Sequence, residues 1–544
     1  MSESKSISVI KQKKKLYITF KIILTTLFAI TILFDNMLVF TQNLRASAQE
    51  IYFSNLTIKN IVVFIMTWII TFGAITLIEF VVSKVEDAIY TNEKEKKKRV
   101  FWIIFGIIML LWMPYILTYF PGGIFSDTQV SIKQCLHLQP YDNKNPLAYT
   151  LLIKLCLGVG DLFNSSQIGI DVFGICQITV MVAILSYFVY WLYKKDFSNT
   201  VLVLITLFFG FFKLIPMYAL SIWKDTPFCL AVFLYILNLA EIVYQDGKNL
   251  NDKKEIAIYI LLFMAVAFLR NNGLYVGIAT TLIILLVYRK NKIFKFTMAS
   301  IIAIVLTVTI QGPVFRKIGL TDPQGGFNAI MVNQIFYVKV TDGNITEEQN
   351  EIIDKMCEPN KLKEKYAPLL LDATTINPEF NNGYIVQNYS EVKRVWKELF
   401  IQNPYAYVKA FLLNTLGFWD VNRAFPDAYV SNYMWKDTES IIDVHQTDWI
   451  EQWSGQSVKE KIQITKLYSS AIFLFIMLTS MIFAIKNKNY KNLLIYLPAL
   501  FTWGTIVLAT PIAFSLRYVY ILVLMIPLDF VIPFLQKNNN EKGN

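Results

Sequence analysis

A chain of 544 residues, 55% hydrophobic and 15% aromatic with a mean hydropathy of +0.45, is too apolar for an ordinary soluble domain. Its net charge of +11 does not point to nucleic acid, because most of the Lys and Arg sit in short loops of one parity between apolar runs. The sequence has no C-x-x-C spacing and no G-x-S-x-G, H-E-x-x-H or Walker-type loop, which argues against zinc ribbons, serine hydrolases, zincins and ATP-driven pumps.

The apolar runs are near the ~20 residues that a bilayer core requires. They predict an all-α polytopic membrane protein with about twelve spans, at 17–39, 61–82, 100–120, 169–193, 198–214, 226–244, 255–269, 273–288, 295–314, 465–485, 493–510 and 514–534. Basic clusters mark one side: Lys11 to Lys15, Lys94-Glu95-Lys96-Lys97-Lys98-Arg99, Lys194-Lys195, Lys248 with Lys253 and Lys254, Arg289 to Lys292, and Lys486 with Lys488 and Lys491. The alternate loops carry only isolated Arg45, Lys59, Lys224, Arg270 and Arg517. The positive-inside rule then places both termini in the cytoplasm.

Four regions follow in order. Residues 1–99 form a cytoplasmic tail and a two-helix hairpin. Residues 100–314 form a transmembrane core whose first large outer loop, 121–168, contains a short apolar stretch with Lys154, suited to an interfacial helix. Residues 315–463 are polar and predict a small, mainly helical outer domain, its apolar stretch near 404–419 lying on the membrane surface. Residues 464–544 supply the last spans and a short cytoplasmic tail, with a disordered end expected at Asn538-Asn539-Asn540.

The candidate chemistry lies on the outer side. Asp127, in Pro121-Gly122-Gly123-Ile124-Phe125-Ser126-Asp127-Thr128, follows a span directly and reads either as a general base or metal ligand, or as a helix cap. Asp225, in Lys224-Asp225-Thr226-Pro227, reads as a second carboxylate or as ordinary helix-start chemistry. Arg270 and Arg517 stand at span ends, where arginines either snorkel or clamp a phosphate. Lys224 is a further phosphate candidate, and Tyr141, Asn143, Asn271 and Arg423 are candidates for holding substrate. His137 and His445, the two histidines, read as surface residues.

The order and common sidedness of these elements resemble the GT-C superfamily of integral-membrane glycosyltransferases. The matching segments are Tyr119 to Asp127, Asn145-Pro146-Leu147-Ala148-Tyr149-Thr150-Leu151-Leu152, Lys224 to Phe228, Leu269-Arg270-Asn271-Asn272-Gly273-Leu274, and Arg517-Tyr518. The nearest likeness is to an uncharacterised group of Gram-positive membrane proteins, whose Asn-x-His-Pro is replaced here by Asn143-Lys144-Asn145-Pro146, so that position receives no role.

The resemblance implies a polyprenyl-phosphate sugar as donor, its phosphate meeting Lys224, Arg270 or Arg517. Asp127 would act as base, or as ligand to a divalent ion such as Mg or Mn, which some relatives require. The acceptor would be a cell-envelope polymer or an exported protein, and the site would lie on the outer face of the cell membrane. The rival readings are a polysaccharide polymerase or ligase, a lipid-linked sugar flippase or transporter, and a non-catalytic scaffold.

Overall fold

A computed structural model describes residues 2–41, 43–85, 88–91, 96–143, 145–291, 293–320, 329–371, 380–424, 441–462, 464, 468–509 and 516–535. Lys94, Glu95, Lys144, Lys292 and the Asn538 to Asn540 run lie outside the described residues.

The protein is an all-α polytopic membrane protein. Among the described residues, nine helices are long and apolar enough to cross a bilayer: Lys15–Met37, Ile58–Lys84, Arg99–Tyr119, Ser166–Lys194, Asp225–Tyr244, Gly273–Asn291, Phe294–Lys317, Tyr490–Ala509 and Leu516–Phe534. The other three expected spans are helices of 13, 17 and 17 residues, Asn199–Phe211, Lys253–Leu269 and Ser470–Lys486. At 1.5 Å per residue, the first of these is only about 20 Å long.

The elements before the site are α1 (Ser2–Met37), α2 (Ile58–Val85), α3 (Arg99–Tyr119), α4 (Ser126–Cys135), α5 (Leu147–Asp161) and α6 (Ser166–Lys194). They continue with α7 (Asn199–Phe211), α8 (Leu214–Ala219), α9 (Asp225–Tyr244), α10 (Lys253–Leu269), α11 (Gly273–Tyr288) and α12 (Phe294–Thr309). Helices α3 and α6 pack together, α9 packs on α10, and α10 packs on α11. Asp225–Tyr244 and Leu516–Phe534 are the most enclosed spans, whereas α2 turns nearly its whole surface outward, as a lipid-facing helix does.

The bundle has two chemically different ends. One carries Lys195 paired with Glu241 at 2.9 Å, Lys96 paired with Asp196, and Lys491 paired with Asp246. The opposite end gathers the termini of α3, α9, α10 and the last span around a small parallel ladder. There β3 (Gly123–Ile124) pairs with β4 (Ser221–Ile222), in register Gly123↔Ser221 and Ile124↔Ile222.

A further helical region is built on Ala329–Val340, Glu347–Met356, Tyr389–Gln402 and Pro404–Asn414. Asn333 and Gln334 donate from Ala329–Val340 to the carbonyls of Ala410 and Tyr407, which ties the apolar Pro404–Asn414 helix to its neighbour. The outward side of that helix still shows Tyr405 and Val408. Residues 446–449 return to the exit of α3: Thr447 donates to the Phe120 carbonyl at 2.8 Å, and Trp449 stacks on Phe120.

Candidate functional site

The ladder explains why two segments about a hundred residues apart meet. Gly122 has φ +126°, and a Cβ there would lie 2.6 Å from the Leu220 carbonyl oxygen. Glycine is therefore the residue that lets the chain pass close enough for Gly123 N–H to reach Leu220 O at 2.7 Å. Behind the ladder, Gln177 from α6 donates to the carbonyls of Ala219 and Ser221. Thr128 Oγ lies 2.5 Å from the Ile222 carbonyl and 2.9 Å from the Tyr149 hydroxyl.

From the register pair Ile124↔Ile222, three residues along each strand lead to Asp127 and Asp225. One step past the pair, Phe125 stacks on Trp223 with centroids 4.1 Å apart. Each carboxylate then stands in the first turn of its helix, α4 or α9, where the free N–H groups favour negative charge. Neither side chain caps its helix; the N-cap positions are Phe125 and Lys224, without a side-chain cap bond. Both carboxylates turn to cations instead.

Asp127 Oδ2 accepts from Arg517 at 3.0 Å and from the Trp223 indole at 3.3 Å, and Lys224 Nζ stands 3.4 Å away. Asp225 Oδ1 pairs with Arg270, and its Oδ2 faces Arg517 Nε at 3.8 Å. That Oδ2 is buried and has no hydrogen-bond partner among the described residues. Each cation also has an anchor other than Asp127. Lys224 donates to Asn145 Oδ1 at 2.6 Å, and Asn145 in turn donates to the Asp127 carbonyl at 2.7 Å. Arg517 donates to the Tyr518 hydroxyl at 2.7 Å and lies over the Trp223 ring; Arg270 lies over the Tyr518 ring.

The two carboxylates differ in access. The Asp225 side chain is 0% exposed and the Asp127 side chain 21%. Burial alone would raise the Asp127 pKa, but Lys224 and Arg517 overcome it and hold the carboxyl well below the usual carboxylate range. Burial lowers the Lys224 pKa from its ordinary value, although Asp127 and Asp225 pull it upward.

The cluster has one cation more than it has carboxylates, so it is poised for an anion. A divalent metal fits it poorly: the N–H donors and charges around Asp127 would repel the ion. Among the described residues no group of three or more His, Cys, Asp or Glu could hold a metal.

The remaining sequence candidates divide. Asn271 Nδ2 donates to the Asn143 carbonyl at 2.9 Å, so Asn143 meets the turn after α10 at the rim of the cluster. Tyr141 accepts from Lys154 at 3.2 Å and lies edge-on to His137; among the described residues none of the cluster's contacts involves it. Arg423 belongs elsewhere, pairing with Asp35 at 2.7 Å and Asp420 at 3.2 Å, because the first span ends beside it. Expectation missed Trp223, Tyr518 and Asn145. The first two adjoin flagged residues, and Asn145 occupies the place where the resembling group has histidine.

A family model matches residues 137–543, more than half of the chain. The chain belongs to DUF6020, a family of unknown function. Asn145, Trp223, Lys224, Asp225, Arg270 and Arg517 fall inside the stretch shared with DUF6020, and Asp127 lies before it. No curated protein and no solved structure matches the chain.

Proposed function

We propose that this member of DUF6020 is a membrane glycosyltransferase. It moves a sugar from a polyprenyl-phosphate donor to a cell-envelope polymer or an exported protein. The observation that carries this is the convergence of Lys224, Arg270 and Arg517 with Asp127 and Asp225 where several helices end. A phosphate that enters along lipid-facing helices would meet fixed N–H donors in a site with little water, where charge interactions are strong.

Asp127 takes the proton of an acceptor hydroxyl. That oxygen attacks the anomeric carbon, and the bond from carbon to phosphate oxygen breaks. Its electron pair leaves with the prenyl phosphate, which Arg270, Arg517 and Lys224 stabilise. Asp225 is sealed, so its part is to orient Arg270 and Arg517. Asn143 and Asn271 at the rim are the groups placed to hold sugar or acceptor hydroxyls. No step needs a metal ion.

The basic loops lie at the other end of the bundle, which supports a site on the outer face of the cell membrane with both termini in the cytoplasm. The test measures lipid-linked sugar in wild-type cells, deletion cells and cells with Asp127→Asn. Blocked transfer makes the donor accumulate in both altered strains, open to a membrane-impermeant oxidant added outside. Donor that accumulates only on the inner face would instead indicate a flippase, and an unchanged pool would refute the proposal.

A further inference from the structure

In the resting site Asp127 is a poor base. Its Oδ2 faces Arg517, Lys224 and the Trp223 indole together. A carboxylate with so many partners has little affinity for a further proton. The same Arg517 and Lys224 nitrogens are what an incoming phosphate would use, so the two anions compete for them.

The contacts decide which group gives way. Arg517 is held by Tyr518 at 2.7 Å and faces sealed Asp225 at 3.8 Å. Lys224 is held by Asn145 at 2.6 Å. Arg270 pairs with Asp225 and stacks on Tyr518. All three cations stay in place if Asp127 leaves, and Asp127 is the more open carboxylate.

We propose that a phosphodiester seated on Lys224 and Arg517 takes these cations from Asp127, so that Asp127 becomes the base only once the donor is bound. This rests on the glycosyltransferase reading and adds an order to it: donor first, acceptor second. Without donor, Asp127 cannot activate water or acceptor. With donor, the phosphate neutralises the extra cation, and the released carboxylate stands beside the anomeric carbon in a poorly hydrated site that raises its proton affinity: near neutrality it is still ionised and a stronger base, and in the carboxylate pH range it takes up a proton. Binding is therefore linked to proton uptake. Its affinity is higher at low pH and falls as pH rises through the carboxylate range.

The test titrates purified full-length protein in detergent with dodecyl methyl phosphate, a phosphodiester with no group of its own that titrates near neutrality. Calorimetry in buffers of different ionisation enthalpy, at pH ~5.5 in the carboxylate range, counts the protons exchanged. Wild type takes up protons on binding, and Asp127→Asn binds the probe at least as tightly with that uptake lost. Binding by wild type without proton exchange, or equal uptake by Asp127→Asn, overturns the ordered mechanism and leaves the phosphate site standing. No binding by wild type overturns the phosphate site itself.

Discussion

Asp127 and Asp225 stand at the same distance past one register pair, yet their surroundings give them different work. Asp225 is sealed against Arg270 and Arg517, so Asp225→Ala would strand buried guanidinium charge. Breaking a buried pair in this way costs about 3–5 kcal/mol. The expected outcome is a large fall in the thermal unfolding midpoint of the purified protein. Asp127 is partly open, so Asp127→Asn should shift that midpoint little while removing function. Equal destabilisation by the two changes would contradict this division of roles. Asp127, Lys224, Asp225, Arg270 and Arg517 were legible in the sequence because the loops that carry them hold few other charges. Asn145 was not, since its meaning lies in a through-space bridge between the Asp127 backbone and Lys224.

The element that assembles the site is a ladder of two residues per strand, too short to leave a periodic pattern in sequence. Its only visible sign is Pro121-Gly122-Gly123. Gly122→Ala adds a Cβ against the Leu220 carbonyl and a side chain at positive φ, a strain of about 1–3 kcal/mol. Thermal unfolding should show the loss, and Trp223 fluorescence should change as its stacking on Phe125 loosens; an unaltered spectrum would count against the ladder as the organiser. The long apolar runs form helices long enough to cross a bilayer. The expected span at 198–214 is shorter, because α7 ends at Phe211 and the chain turns into the separate buried helix α8. At 255–269 the helix stops because Arg270 is extended (φ −157°, ψ 139°) and reaches Asp225.

Across the whole molecule, the α1–α2 hairpin precedes the stretch shared with DUF6020 and docks onto it. Asp35 near the end of α1 receives Asn422 and Arg423, each at 2.7 Å, so Arg423 fixes the hairpin and stays out of the charged cluster. Asp420 is buried in the same contact, and burial together with the Asp35 carboxylate pushes its pKa up to about 7. In the unfolded chain an aspartate titrates near ~3.9. The folded state thus binds the Asp420 proton more tightly. This contribution to stability is complete below the unfolded value and is lost as pH rises through about 7. Unfolding midpoints measured from pH ~4 to ~8 should fall across that window in wild type, and the fall should be smaller in Asp420→Asn. Identical slopes would refute the assignment. The general layout was legible because hydropathy and loop charge act over whole spans. The Asp35–Arg423 contact was not, because it joins residues nearly 400 positions apart.

Whether Asp127 performs sugar transfer is read from envelope glycans of cells with wild type, Asp127→Asn and a deletion, at matched protein levels. Cells with Asp127→Asn are expected to lack the same sugar as the deletion, although the protein is folded and present. A deletion that loses a sugar which Asp127→Asn retains would contradict this role.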